Sequence, residues 1–215
     1  MRIVSWNCRQ GFDEKAGAFL GLRPDIGIVP ESCESPLIAQ PGLFEAAVPH
    51  QWTGHYSQKG LGVFSPGADR LKRIDPEKSN IGDHGLACSV TRAGVTTGVV
   101  GVWTIPGAGS GDRYLTAARS IVDRYTAFLK SGTAVLAGDF NVSGRTALRE
   151  LAEFARHLEE RFGLVSAFHS HRGISIGTES VGTLWWRGSE QDAFHCDFVF
   201  VPKKWKLLHV EVGTY

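Results

Sequence analysis

Along this chain, apolar and polar residues alternate in short blocks, broken by Gly and Pro. In an extended start, Ile3, Ser5 and Asn7 share one face and Val4 and Trp6 the other, which predicts a strand over 2–7. A helix is expected over 14–22, with Asp13 as its cap and Arg23-Pro24 as its stop. The apolar run 26–30 reads as a buried strand that stops directly before Glu31. From 32 to 60 the pattern is poor and is punctuated by Pro36, Pro41, Gly42 and Pro49, so loops and short elements are expected. Strands follow at 61–64, 86–91 and 95–104, the last two joined by Arg92-Ala93-Gly94 and pairing antiparallel. Leu115, Ala118, Val122, Tyr125 and Leu129 recur at helical spacing, which predicts a helix over 112–130 closed by Gly132. A β-rich run over 133–138 precedes a helix over 145–162, whose stripe is Leu148, Leu151, Ala155, Leu158 and Phe162. Further strands are expected at 164–168, 183–187, 196–201 and 205–212. No repeat or linker interrupts the pattern, so residues 1–215 read as a single domain. Hairpins mixed with helical crossovers predict two sheets packed face to face, with helices outside.

Composition narrows the partners. A hydrophobic content of 42% supports a substantial core, and 21% charged residues is ordinary for a globular chain. The net charge is +1, without the basic excess of a general nucleic-acid binder. DNA is therefore weakened as a partner, and a small phosphate ester stands beside it. Cys8, Cys33, Cys88 and Cys196 form no CxxC pair, and they read as reduced thiols. No apolar run is long enough for a transmembrane helix, so no transmembrane contact is expected. With no leader before the first strand, the expected location is cytoplasmic.

Candidate chemistry sits at strand ends. Val135-Leu136-Ala137-Gly138-Asp139-Phe140-Asn141 delivers a carboxylate and a carboxamide two residues apart, on one side if the backbone stays extended. Asn7 ends the first strand, and Glu31 follows the second. Asp197 lies in an apolar run; alternation sets it opposite Cys196, Phe198 and Phe200 and beside His195 and Val199. Each has a plainer reading as a turn residue or a structural ion pair. Taken together, they suit phosphoryl transfer with a hard divalent cation. Glu31 is the inner ligand in that reading, and Asn7 orients a metal-bound water. Asp139 holds or deprotonates the attacking water, and Asn141 donates to a phosphate oxygen.

These residues resemble the endonuclease/exonuclease/phosphatase superfamily. The matching pieces are Ser5-Trp6-Asn7, Pro24-Asp25-Ile26 leading to Glu31, Gly60-Leu61-Gly62-Val63, Gly138-Asp139-Phe140-Asn141, and His195-Cys196-Asp197-Phe198-Val199-Phe200-Val201. The resemblance implies a four-layered α-β-β-α sandwich of two mixed sheets, with its site at one rim. It places Asn7, Glu31 and Asp139 around Mg²⁺, with Mn²⁺ as the alternative. Asp139 and Asn141 would serve the attacking water, and Asp197 would buttress a catalytic histidine. The implied activity is hydrolysis of a phosphodiester, with a phosphomonoester or a lipid or metabolite ester as alternatives.

Two departures accompany the match. The family's histidine lies in a terminal Ser-Asp-His segment, whereas this sequence ends at Tyr215 without one. His195, His169 and His171 are the candidate substitutes, and none occupies the family's position. The expectation is a chain missing its last strand, either a fragment of a longer gene product or a variant with weakened chemistry or a binding-only role, with a sheet edge open to self-association. The second departure is Trp103-Thr104-Ile105-Pro106-Gly107, where many of the family's nucleases carry Tyr or His and Asn against the phosphate.

Overall fold

Strand alternation sorts the apolar side chains into three layers of core. Ile26, Ile28, Leu61, Val63, Val99, Trp103, Val135, Ala137 and Val201 form one, with Ile3 and Val199 packed against it. Phe12, Phe19, Val29 and Phe64 form a second with Val4 and Trp6. Val100, Val102, Leu136, Phe154, Phe198 and Phe200 belong to the third. Neighbours in one strand thus serve opposite faces, as a two-residue period requires. Each large side chain shut in this way contributes about 1.5–3 kcal/mol.

The coordinates are a computed structural model. They describe all residues except 35–47, 76–83, 106–112, 186–188, 190–192 and 214–215. In chain order the elements are β1 (Ile3–Ser5), α1 (Phe12–Gly21), β2 (Ile26–Ser32), β3 (His50–Tyr56), β4 (Lys59–Phe64), β5 (Arg70–Ile74), β6 (His84–Arg92), β7 (Val95–Trp103), α2 (Arg113–Arg124), α3 (Thr126–Leu129), β8 (Ala134–Asp139), α4 (Gly144–Phe162), β9 (Leu164–Ser166), α5 (Ala167–Arg172), β10 (Leu184–Trp185), β11 (Ala193–Phe194) and β12 (Asp197–Pro202).

One sheet has the order β1-β2-β4-β3, the other β5-β6-β7-β8-β12-β9, and β10 and β11 make a small ribbon. Both large sheets mix parallel and antiparallel pairs: β1 with β2 and β7 with β8 are parallel. Helix α1 covers the outer face of the smaller sheet, and α2, α3 and α4 cover the outer face of the larger. The layering is α-β-β-α, as expected. No helix among the described residues is long and apolar enough to cross a membrane. All four cysteines are free.

Several expected boundaries moved. Strand β3 arises in the stretch where only loops and short elements were expected, and β5 where nothing was. Both are edge strands, half-buried or exposed along their length, so their patterns are too polar to stand out. The helix expected over 112–130 breaks at Tyr125, whose hydroxyl donates to the Gly85 carbonyl. The strand expected over 164–168 ends at Ser166, and α5 takes up His169 and His171, closed by a left-handed Gly173. Helix α4 is kinked at Ala147, which leaves Leu148 off the apolar stripe and 48% exposed. Residues 205–212 join no ladder among the described residues. Trp205, Leu207 and Val210 lean on the inter-sheet core, while Leu208 is exposed. The pattern there is strand-like, but alternation without a partner strand makes no sheet. The glycine-rich stretch 107–112 and Trp186-Arg187 lie outside the described residues.

Candidate active site

Four segments meet at one rim of the two sheets. Strand β8 ends at Asp139, whose neighbours Val135 and Ala137 face the inter-sheet core. Strand β12 begins at Asp197, directly across the ladder from Asp139. On the other side of β8, Gly138 has φ +145°, and a Cβ there would lie 1.9 Å from the Val102 carbonyl oxygen. The close neighbour is thus the backbone of β7.

Glu31 arrives by a different device. Strict alternation would send it to the α1 face with Gly27 and Val29. A bulge in β2 between Pro30 and Ser32 breaks the register, and Glu31 adopts φ +63°. Such a left-handed residue costs roughly 1–2 kcal/mol for an ordinary side chain. The cost re-aims the carboxylate toward Asn7. The Asn7 amide nitrogen donates to Asp139 Oδ2 at 2.8 Å and to Glu31 Oε1 at 3.3 Å, while Asn7 Oδ1 accepts from the Arg9 N–H at 2.9 Å. One carboxamide therefore joins the two sheets and both carboxylates. The sequence reading gave Asn7 to the metal or its water. Here its nitrogen donates to both carboxylates and its oxygen accepts the Arg9 N–H.

Asp139 accepts three hydrogen bonds, one from Asn7 and two from Asn141. Its Oδ1 accepts the Asn141 N–H at 2.8 Å, and its Oδ2 accepts the Asn141 amide at 3.1 Å. Asn141 also donates to the Thr104 carbonyl at 2.8 Å and holds φ +50°, a conformation asparagine tolerates. Its amide is thus spent on the protein, in support of Asp139. The Thr104 hydroxyl donates inward to the Phe140 carbonyl and is buried.

Burial dominates the electrostatics. It pushes the Asp139 carboxyl up to about 6, a rise moderated by the Asn7 and Asn141 donors. Burial, then the charge of Asp139, holds Asp197 well above the usual carboxylate range. Asp197 Oδ1 is shut from solvent with no hydrogen-bond partner. The Cys196 thiol lies 3.6 Å from Asp197 Oδ2, and burial keeps it protonated. Ligand atoms of Asp139, Cys196 and Asp197 all fall within 4.8 Å of one another. A buried carboxylate cluster with an orphaned oxygen fits a hard divalent cation, whereas a protonated thiol is a poor ligand for one.

His195 does not join this set. Strand β12 starts at Asp197, so alternation does not extend back to His195. Its ring stacks on Phe168 and packs against His169 and Phe198, and its Nδ1 meets the Val181 carbonyl at 3.3 Å. It therefore sits on the Phe198 side of the sheet, and burial holds its pKa below the ordinary value. His169 is committed to Ser166 at 2.7 Å and Glu179 at 2.8 Å.

Three contributors escaped the sequence reading. Thr183 Oγ1 accepts the N–H groups of Cys196 and Asp197, both at 3.0 Å, and so fixes the start of β12. Cys196 lies against the carboxylates. Lys59 places Nζ 3.1 Å from Glu31 Oε2 and 5.3 Å above the Trp103 ring. Its place beside Gly60 at the head of a strand was the available signal.

No family model and no curated protein matches the sequence. Solved structures do. A 3′-5′ exonuclease (NExo) from Neisseria meningitidis superposes with TM-score 0.66 at 16% identity, over 94% of this chain and 86% of its own. An AP endonuclease from Archaeoglobus fulgidus gives 0.63 at 14%, over 93% and 85%. Truncated TDP2 from Caenorhabditis elegans gives 0.62 at 13%, over 92% and 82%. The likeness is one of fold.

Proposed function

We propose that this chain, which has the endonuclease/exonuclease/phosphatase fold, is a divalent-metal-dependent phosphoesterase that hydrolyses a phosphodiester by attack of an activated water. The observation that carries the reading is the Asn7 amide joining Glu31 and Asp139 across two sheets, with Asp197 paired opposite Asp139. Glu31 and Asp139, with Asn7 beside them, would hold Mg²⁺ or Mn²⁺. When bound, the cation supplies charge neutralisation at the phosphoryl oxygens and a more acidic water. Asp139 orients the attacking water and accepts its proton. Asn7 and Asn141 keep the Asp139 carboxylate in place, so little reorganisation is needed as charge develops. Asp197 would accept a donor at its unpartnered oxygen, the part a buttress to a histidine requires.

A nucleic-acid ester is the first substrate class. The neighbours above are described as a nuclease, an AP endonuclease and TDP2, and another TDP2 structure, from D. rerio, holds single-strand DNA product. A small phosphate ester is the second, favoured by a net charge of +1. A binding-only role is the third, favoured because no described histidine bonds Asp197.

Turnover of bis-p-nitrophenyl phosphate, with and without Mg²⁺, tests hydrolysis. Asp139→Asn is expected to lower kcat about 10²-fold or more while far-UV circular dichroism stays unchanged. Unaltered turnover in that variant removes Asp139 from the mechanism. Inactivity of the wild type on diester and monoester panels, with Mg²⁺ binding retained, favours the binding role.

A further inference from the structure

We infer that Lys59 is the resident counter-ion of Glu31, and that a divalent cation must displace its ammonium in order to bind. The inference rests on the hydrolase reading above and assigns Lys59 a part in regulating the same site.

Glu31 uses its two oxygens differently. Oε1 receives the Asn7 amide at 3.3 Å, and Oε2 receives Lys59 Nζ at 3.1 Å. The oxygen left open to a cation therefore already carries one. The ammonium also lies 5.3 Å above the Trp103 ring, and Trp103 stands opposite Asp139 in the β7–β8 ladder. A ring face attracts a cation without neutralising it, so the indole is a second resting place for the same charge.

The two partners differ in their freedom to move. The Glu31 side chain is 18% exposed and its backbone is pinned at a bulge with φ +63°. The Lys59 side chain is 38% exposed, at the head of β4 and on a flexible stem. Exchange of cations therefore moves Lys59 and leaves Glu31 in place. With no divalent ion bound, the ammonium offsets the charge of Glu31 beside the buried Asp139. With one bound, two cations would share a single carboxylate, and the ammonium swings away along the Trp103 face. Lys59 thus sets the affinity of the site from within, and weakens it.

The test is calorimetric titration of the full chain with MnCl₂ and MgCl₂, alongside thermal midpoints with and without the metal. Lys59→Met keeps the aliphatic stem on Trp103 and removes the charge; Lys59→Arg keeps the charge. Lys59→Met is expected to bind Mn²⁺ roughly two- to five-fold more tightly than wild type, the scale of a half-exposed ion pair. Lys59→Arg is expected to stay close to wild type. The metal-free midpoint of Lys59→Met is expected to fall, because Glu31 and Asp139 then face each other without a counter-ion. Lys59→Gln, checked by circular dichroism, serves as a second charge-free variant should Lys59→Met fold poorly.

Equal or weaker Mn²⁺ binding by both charge-free variants overturns the inference. Glu31→Gln separates the two levels. If it abolishes Mn²⁺ binding while the charge-free variants bind like wild type, Lys59 alone loses its part. If wild type and Glu31→Gln bind alike, or neither binds, the metal reading of Glu31 falls and the Lys59 inference falls with it.

Discussion

His195 shows how a buried residue outside the site can set the pH response of the whole chain. Burial among Phe168, His169 and Phe198 lowers its pKa, so the folded state resists protonating it. A histidine depressed in this way contributes stability that is present above about pH 6.5 and lost as pH falls below it. His195→Asn keeps a donor for the Val181 carbonyl and removes the titration. The thermal midpoint of the variant is expected to decline less steeply than that of wild type between pH 7.5 and pH 5. Parallel declines would take His195 out of the account. Glu179 works in the same direction at lower pH. Burial alone would raise it, yet the Gly177 and Glu179 N–H groups and His169 hold it below the usual range. At this scale the sequence disclosed Asn7, Glu31, Asp139, Asn141 and Asp197, because each polar residue interrupts or ends an apolar run. It gave only a faint signal for Lys59 and none for Thr183, whose partners Glu31 and the start of β12 lie far away in the chain. It also set His195 beside Asp197, because the first residue of β12 cannot be read from alternation alone.

Elements with a two-sided apolar environment were the most legible. Strands β2, β4, β7 and β8 are buried over most of their length and carry the strongest patterns. Edge strands β3 and β5 hid behind polar residues, and the kink in α4 displaced Leu148 from its expected face. The parallel β7–β8 pair depends on one residue in particular. A methyl group at Gly138 would collide with the Val102 carbonyl, a backbone atom that cannot rotate away. Gly138→Ala is expected to cost about 3 kcal/mol or more. For a chain of this length that is a fall of roughly 6–12 °C in thermal midpoint. A loss below about 1 kcal/mol would mean that β7 and β8 can part without harm.

Across the whole molecule, three apolar cores hold four layers together, and the candidate site lies where the two sheets meet. The smaller sheet ends at β1, whose outer side pairs with nothing among the described residues. Residues 205–213 run past the inter-sheet core without entering a ladder. Open edges of this kind invite pairing between copies. Sedimentation velocity over a range of concentrations is expected to show reversible growth in mean mass, and a constant monomer mass would close that proposal.

The left-handed backbone at Glu31 has a consequence for drift among descendants of this gene. Glycine would sit there more comfortably, and asparagine nearly so, and either would relieve the backbone strain. Mutation without selection therefore pulls position 31 away from glutamate. A lineage that keeps the acid there does so against the preference of its backbone.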